Sequence, residues 1–279
     1  MFRVRSMSPD DFAFAVNITG QMGWHLARDD FEFMMELEPE GSFILLDDAK
    51  RIGLATTVSF GKIGWFGNLI VSENYRKKGA GSLLVKHSID YLKSKNVETV
   101  GLYAHINRIP FYKRLGFTYD SEFIVLKGRG FSSSVQASLR KAGKQDIQEI
   151  IDYDQSCFGS SRGKLLEQII LDSDNLCYFS IEQGQVSGYV VAKVFKGGSE
   201  LGPLVCDKGR IDVAINLLRT VLDKLEGLEV SMCVSEREAA ILTVLKQLGF
   251  DETFRVARMF FGPPIVKDCI YVAESLERG

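Results

Sequence analysis

In a chain of 279 residues with formal net charge −2, three cations run straight into two glycines at Arg76, Lys77, Lys78, Gly79, Ala80, Gly81 and Ser82. Residue types like these suit an anion. Glycine lets backbone N–H groups point inward with no Cβ in the way, and N–H groups at a helix start, backed by the helix dipole, bind phosphate oxygens. A solvated basic turn is the plainer reading of the same letters. The flanks separate the two: "IGWFGNLIV" at 63–71 reads as a strand. "SLLVKHSIDYLKSK" then places Leu83, Leu84, His87, Tyr91 and Leu92 on one helical face. A strand, a short link, R-x-x-G-x-G and a helix together predict a pyrophosphate site, with one cation left for a further phosphate.

Further along, "HINRIPFYKRLGF" holds His105, Asn107 and Tyr112. By residue type alone, Tyr112 is a core aromatic with a satisfied hydroxyl, and Asn107 is a helix N-cap. The fifty residues from Asn68 to Phe117, which contain both stretches, resemble the core of the GCN5-related N-acetyltransferase (GNAT) superfamily. The pyrophosphate signature of that family, Q/R-x-x-G-x-G/A, is matched by Arg76, Gly79 and Gly81. Its later signature, an Asn and then a Tyr shortly before "LGF", is matched by Asn107 and Tyr112. "MGWHLARDDFEFMMELEPEGSF" is similar to a subgroup whose C-terminal half is a second, degenerate unit.

The resemblance implies an acyl-CoA cleft where the fourth and fifth strands part. Leu69 and Val71 would pair with the pantetheine amides, and the amides of residues 76–82 would hold the pyrophosphate. It also implies direct attack of an amine on the thioester, where bringing the two together is much of the catalysis. A strand N–H near Leu69 would then stabilise the oxyanion, and Tyr112 would protonate the leaving thiolate. Glycines at 64 and 67 would permit a bulge that opens the strand. The base that frees the amine is not diagnosed by spacing: Glu36, Glu38, Glu73 and His105 are candidates by position. Trp24, His25, Arg28 and Trp65 either shape the acceptor pocket or are, plainly, core tryptophans and a surface arginine.

Stepping outward, the first half reads strand 2–6, a helix from Pro9 to about Met22, and a helix over 29–36. A hairpin turning at 47–50, the strand at 63–71, the helix from Ser82 and a strand over 98–105 follow. A short helix stopped by Gly116 and a final strand pair over 117–127 complete the order βααβββαβαβ. "FYKRLGF" at 111–117 returns as "VLKQLGF" at 244–250, and "FILLDDAKRIG" at 43–53 as "YFSIEQGQVSG" at 178–188. "VRSMSPDDF" at 4–12 has an echo in "LRKAGKQDI" at 139–147. Near-constant offsets indicate a tandem of related halves with a seam at "KGRGFSSSV". The expected fold class is α/β, an α+β mixed sheet in two tandem GNAT-like units: 1–130 catalytic and 135–279 degenerate.

The second unit departs from the pattern where it matters. Its matching loop has the single Gly209 beside Asp207, and Leu245 stands in the place of Tyr112. Arg255 and Arg258 are either solvent-facing or able to reach an acidic acceptor.

Composition bounds the rest. Hydrophobic residues make up 46% and charged residues 25%, the balance of a globular chain with material for a core. Five cysteines without CxxC spacing predict buried or free thiols in a reducing compartment and no disulfide framework. Three histidines without ligand spacing predict no metal. No secretory signal or 18-residue apolar run is evident, and near-neutral charge argues against nucleic acid and membrane partners. The expectation is a cytoplasmic, acetyl-CoA-dependent N-acetyltransferase acting on a small-molecule or peptide amine, as monomer or homodimer. A longer-chain acyltransferase and a non-catalytic acyl-CoA sensor are the alternatives.

Overall fold

The computed structural model describes residues 1–24, 26–132, 139–265 and 269–279. The first half runs β1 (Phe2–Ser6), α1 (Phe12–Gln21), α2 (Arg28–Leu37), β2 (Ser42–Asp47), β3 (Lys50–Phe60) and β4 (Ile63–Val71). It continues through α3 (Ala80–Ser94), β5 (Thr99–His105), α4 (Ile109–Lys113) and β6 (Thr118–Arg129). The second half repeats this with β7 (Arg140–Lys141), α5 (Ile147–Phe158), α6 (Gly163–Leu171), β8 (Leu176–Glu182), β9 (Gln185–Phe195) and β10 (Gly198–Asp207). It ends in α7 (Ile211–Lys224), β11 (Glu229–Ser235), α8 (Ala239–Gln247), β12 (Asp251–Phe261) and β13 (Cys269–Val272).

The repeat is visible in bonding detail. Asp11 accepts from Arg5 at 2.6 Å and from the Ser8 N–H at 2.9 Å. In the same positions of the second half, Asp146 accepts from Arg140 at 3.0 Å and from the Gly143 N–H at 2.8 Å. Each carboxylate caps the turn before the first long helix and pins it to the edge strand.

All thirteen strands of the described residues form one mixed sheet in the order β1-β2-β3-β4-β5-β12-β6-β11-β13-β10-β9-β8-β7. The halves exchange strands at its centre. β12 lies on β5 with Val256 opposite His105, and β6 lies on β11 with Met232 opposite Leu126. The strand pair expected over 117–127 is therefore one twelve-residue strand, because its partners come from the other half. Gly128 belongs to this strand as well. A Cβ there would stand 2.6 Å from the Phe250 ring, so its glycine serves packing. Residues 133–135 of the seam lie outside the described residues.

Arg258 donates to Asp120 at 2.8 Å and stacks over Phe123, while Arg255 pairs with Glu252 and Glu122. Both arginines fasten the exchanged strands: Arg258 is half-buried, which corrects its reading as solvent-facing, whereas Arg255 is exposed and reaches across to Glu122 from the surface. Cys157 and Cys269 form a disulfide with Cα atoms 5.9 Å apart, contrary to the expectation of free thiols throughout. A sequence separation of 112 hid the pair, which forms because β13 crosses beside the end of α5. Cys177, Cys206 and Cys233 are free and buried. Among the described residues no helix is long and apolar enough to cross a membrane.

Candidate active site

The start of α3 explains the glycines. Gly79 stands at its N-cap with φ +84°, a left-handed backbone that a side chain would strain. The first helical bond runs from the Leu83 N–H to the Gly79 carbonyl at 3.0 Å. Among the described residues, no protein acceptor takes the N–H groups of residues 77–82. A Cβ on Gly79 would meet nothing within 4 Å, and one on Gly81 would come no closer than 3.5 Å to the Phe111 ring. The space beside both glycines is thus open. Arg76 turns back, its Nε donating to the Val71 carbonyl at 2.9 Å, and braces the loop against the end of β4. Lys77 and Lys78 are exposed beside the donors. Ala80 is buried and Ser82 half-buried in the first turn. This helix start can hold linked phosphates.

β4 leads into that loop and leaves its neighbour on the way. It pairs in parallel with β5 only from Ile63 opposite Thr99 to Trp65 opposite Gly101. On its other edge, β3 follows it to Val71 with one extra residue inserted between Gly67 and Ile70. Asn68 occupies this bulge with φ +52°. Beyond Trp65, the edge of β4 that carries Leu69 and Val71 has no partner strand among the described residues, so backbone groups there are available to an extended ligand.

Tyr112 closes the same opening from the α3 side. Its ring is 6.5 Å from Phe66 of β4, 5.0 Å from Phe111 and 5.6 Å from Phe117. Burial raises its hydroxyl pKa well above the ordinary value, outweighing Arg108, and keeps it protonated at neutral pH. Asn107 is exposed in a short turn, and the residue that caps α4 is Arg108, so Asn107 is not the helix N-cap.

The base candidates do not gather here. Glu38 is buried and accepts from Ser59 N–H and Oγ, from Tyr91 at 2.7 Å and from Lys164 at 2.8 Å. Burial alone would raise its pKa, but these bonds hold it at about 2. A carboxylate so satisfied joins α6 to β3 and is no base. Glu36 and Glu73 are exposed. His105 is exposed at the end of β5 with its ring 5.3 Å from Phe254. Of the acceptor candidates, Trp24 packs half-buried against the α1–α2 core, and Arg28 pairs with Glu32 on the surface. Trp65 is fully buried between the halves. His25 lies outside the described residues.

What sequence reasoning missed lies on the sheet face opposite α3. Residues 273–279, the segment after β13, run along this face. A Cβ on Gly67 would stand 2.8 Å from the Cα of Glu277, and one on Gly279 would stand 2.8 Å from the Trp65 ring. Glu274 anchors the segment, bonded to Lys193 at 2.5 Å and to Arg278 at 2.9 Å, and Arg162 donates to the Gly279 carbonyl at 3.0 Å. The Asn68 Oδ1, Trp65 Nε1 and Tyr103 hydroxyl are buried here without a hydrogen-bond partner among the described residues. The Gly67-Asn68 pair within an apolar strand was a readable bulge signal; nothing in the sequence marked Glu277.

In the second half the corresponding opening is filled. β10 pairs with β11 only from Gly198 to Glu200, and β13 then enters the gap, with Val205 opposite Tyr271 on one side and Val234 opposite Val272 on the other. The loop before α7 is occupied by its own charges: Arg210 pairs with Glu182 and with Asp212, and Asp207 accepts from Tyr153 at 2.9 Å.

Comparison with known proteins agrees with both halves. Residues 14–117 match the family model described as acetyltransferase (GNAT) family, and residues 150–271 match one described as acetyltransferase (GNAT) domain. The chain is 26% identical over 269 residues to the holothin acyltransferase of Pseudoalteromonas sp. (strain SANK 73390), covering 92% of this chain and 87% of that protein. A solved protein from Pyrococcus horikoshii superposes with a TM-score of 0.84 at 20% identity, over 100% of this chain and 96% of the other. A tandem GNAT protein from the clavulanic acid biosynthesis pathway superposes with a TM-score of 0.63 at 12% identity, over 95% of this chain and 100% of its own. At such identities these structures establish the shared fold.

Proposed function

Since the chain belongs to the GNAT superfamily as an acyltransferase with two such units in tandem, we propose that its first half transfers an acetyl group from acetyl-CoA to a primary amine. The amine attacks the thioester directly while both substrates are bound. The observation that carries this reading is the run of unpartnered N–H groups at 77–82, set beside the unpaired edge of β4. The cradle fits the group expected there: its glycines leave open space where a pyrophosphate would lie, and Lys77 and Lys78 add positive charge.

The residues of the chain divide the work. Arg76 to Ser82 hold the phosphates, and the edge of β4 at Leu69 and Val71 takes the amides of the pantetheine arm. Tyr112, kept protonated by burial, donates to the departing thiolate. The second half contributes β12, which completes the sheet beside β5, and the segment 273–279, which walls the opposite face. The relative named holothin acyltransferase carries a name that does not restrict the acyl group to acetyl, so transfer of a longer chain is the second reading.

Calorimetric titration with acetyl-CoA, followed by acetyl transfer to a panel of primary amines, tests the proposal. One molecule bound per chain and turnover with an amine are expected. Binding without turnover would favour a sensor, and tighter binding and faster turnover with longer acyl-CoA would favour the second reading.

A further inference from the structure

The geometry points to Glu277, with Asn68 beside it, as the site that holds the ammonium of the acceptor and takes its proton. The inference rests on the transferase reading above and specifies its missing base. Glu277 lies on β4 at Gly67, one residue before the bulge. Only glycine fits there, because a Cβ would also stand 3.0 Å from the Glu277 carbonyl oxygen. The bulge turns Asn68 onto the same face, where its Nδ2 donates to Thr56 at 3.2 Å and its Oδ1 is left without a donor. The Tyr103 hydroxyl, a further buried group without a partner, is on this face of β5, its ring 5.2 Å from Trp65. A primary ammonium brings three donors and no acceptor, which is the complement of these groups.

Charge gives the same answer. The charged groups near enough to act on Glu277 are Glu274 and Arg278 of its own segment, Lys193 of β9 and Glu200 of β10, and Glu277 in turn acts on Cys233 of β11. Lys193 pairs with Glu200 at 2.8 Å and with Glu274, and Arg278 is spent on Glu274. Glu277 is the carboxylate left over, with no ion pair or hydrogen bond of its side chain among the described residues. Burial raises its pKa, Arg278 and, more weakly, Lys193 oppose the rise, and Glu200 and Glu274 add to it, so on balance it accepts a proton more readily than an exposed glutamate.

Tyr112 and Glu277 then stand on opposite faces of the same bulged strand. The amine gives its proton to the Glu277 carboxylate, and its lone pair forms the C–N bond to the acyl carbon. The C–S bond breaks, the thiolate takes the proton of Tyr112, and the second proton, shed by the nitrogen as it becomes an amide, goes to the tyrosinate so formed. The surplus negative charge selects an amine carrying no carboxylate of its own.

Glu277→Gln separates this role from simple packing. Benzylamine, an ammonium at pH 7, and hydroxylamine, already neutral there, serve as acceptors with acetyl-CoA, each measured over its uncatalysed background. The Gln variant is expected to lose roughly 10²–10⁴-fold in kcat/KM with benzylamine. Its rate with hydroxylamine should change little, its affinity for CoA should not change, and the benzylamine deficit should shrink as pH rises. Asn68→Gly, which keeps the left-handed backbone accessible, is expected to cost benzylamine turnover about tenfold, one hydrogen bond to a charged group. Equal losses with both acceptors would mean that Glu277 only packs the segment, and no loss would remove it from the reaction; either overturns the inference. An unaltered chain that binds CoA but transfers to neither amine overturns it too, whereas one that binds no CoA overturns the transferase reading beneath it.

Discussion

The two halves open their sheets in the same place and use the gaps differently. Between β4 and β5 the pairing stops at Trp65, the loop that follows has glycines, and its N–H groups have no protein acceptor among the described residues. Between β10 and β11 it stops at Glu200, β13 fills the gap with backbone pairing on both sides, and Arg210 and its acidic partners occupy the loop. A gap in a sheet exposes unpaired backbone groups, and something has to bond them. In the second half the chain does so itself. In the first half the proposal leaves that task to acyl-CoA, and the chain has a tyrosine where the other half has Leu245.

The comparison can be broken first at its structural premise. A fragment of residues 1–130 would expose the edge of β5 and both edges of β6, since β12 and β11 are their partners. It is expected not to fold, giving a circular-dichroism spectrum without a cooperative melt; a folded fragment that binds CoA would make the first cleft independent of the second half. Next, Gly81→Glu should abolish CoA binding in a chain that stays folded, because the new carboxylate enters the phosphate space while suiting the first turn of a helix. Gly209→Glu, in the matching loop of the second half, should leave the titration unchanged at one molecule per chain.

A smaller effect is expected at Tyr112. Tyr112→Phe should lower kcat by roughly 10²–10⁴-fold at constant affinity for acetyl-CoA. Full activity in the Phe variant would assign the ring to the core and the proton to water. The smallest effect concerns the joint between the halves. Glu38 titrates at about 2 in the folded chain against an ordinary 4.5, so the stability it contributes is whole above pH 4.5 and fades as pH falls towards 2. Lys164→Met should remove roughly 1 kcal/mol of it, the half-exposed lysine being partly screened, and should flatten the urea midpoint across that acid window.

Local chemistry was legible in the residues. The R-x-x-G-x-G run between a strand and a helix announced the glycine-led helix start, since a left-handed N-cap at Gly79 is a property of the chain within a few residues. The element order of the first half followed from periodicity for the same reason, and the tandem followed from repeated phrases such as "FYKRLGF" and "VLKQLGF". The bulge at Asn68 was half-legible: glycines at 64 and 67 suggested one, and the backbone placed it a residue later.

The rest depended on contacts between distant residues. No spacing rule relates Glu277 to Gly67 or Cys157 to Cys269, because they meet only once β13 has crossed the second cleft and its trailing segment has reached β4. The pairing of β6 with β11 and of β12 with β5 was equally hidden, since an apolar strand carries the same letters whichever half it joins. The sequence by itself determined the elements, the repeat and the glycine helix start at Gly79, all set by backbone sterics and side-chain period over short range. The tertiary structure alone decided which cleft stays open, which half closes the other's sheet and which carboxylate-bearing residue lies against β4. Those depend on which distant surfaces bury one another, and such energies are not written in any local stretch.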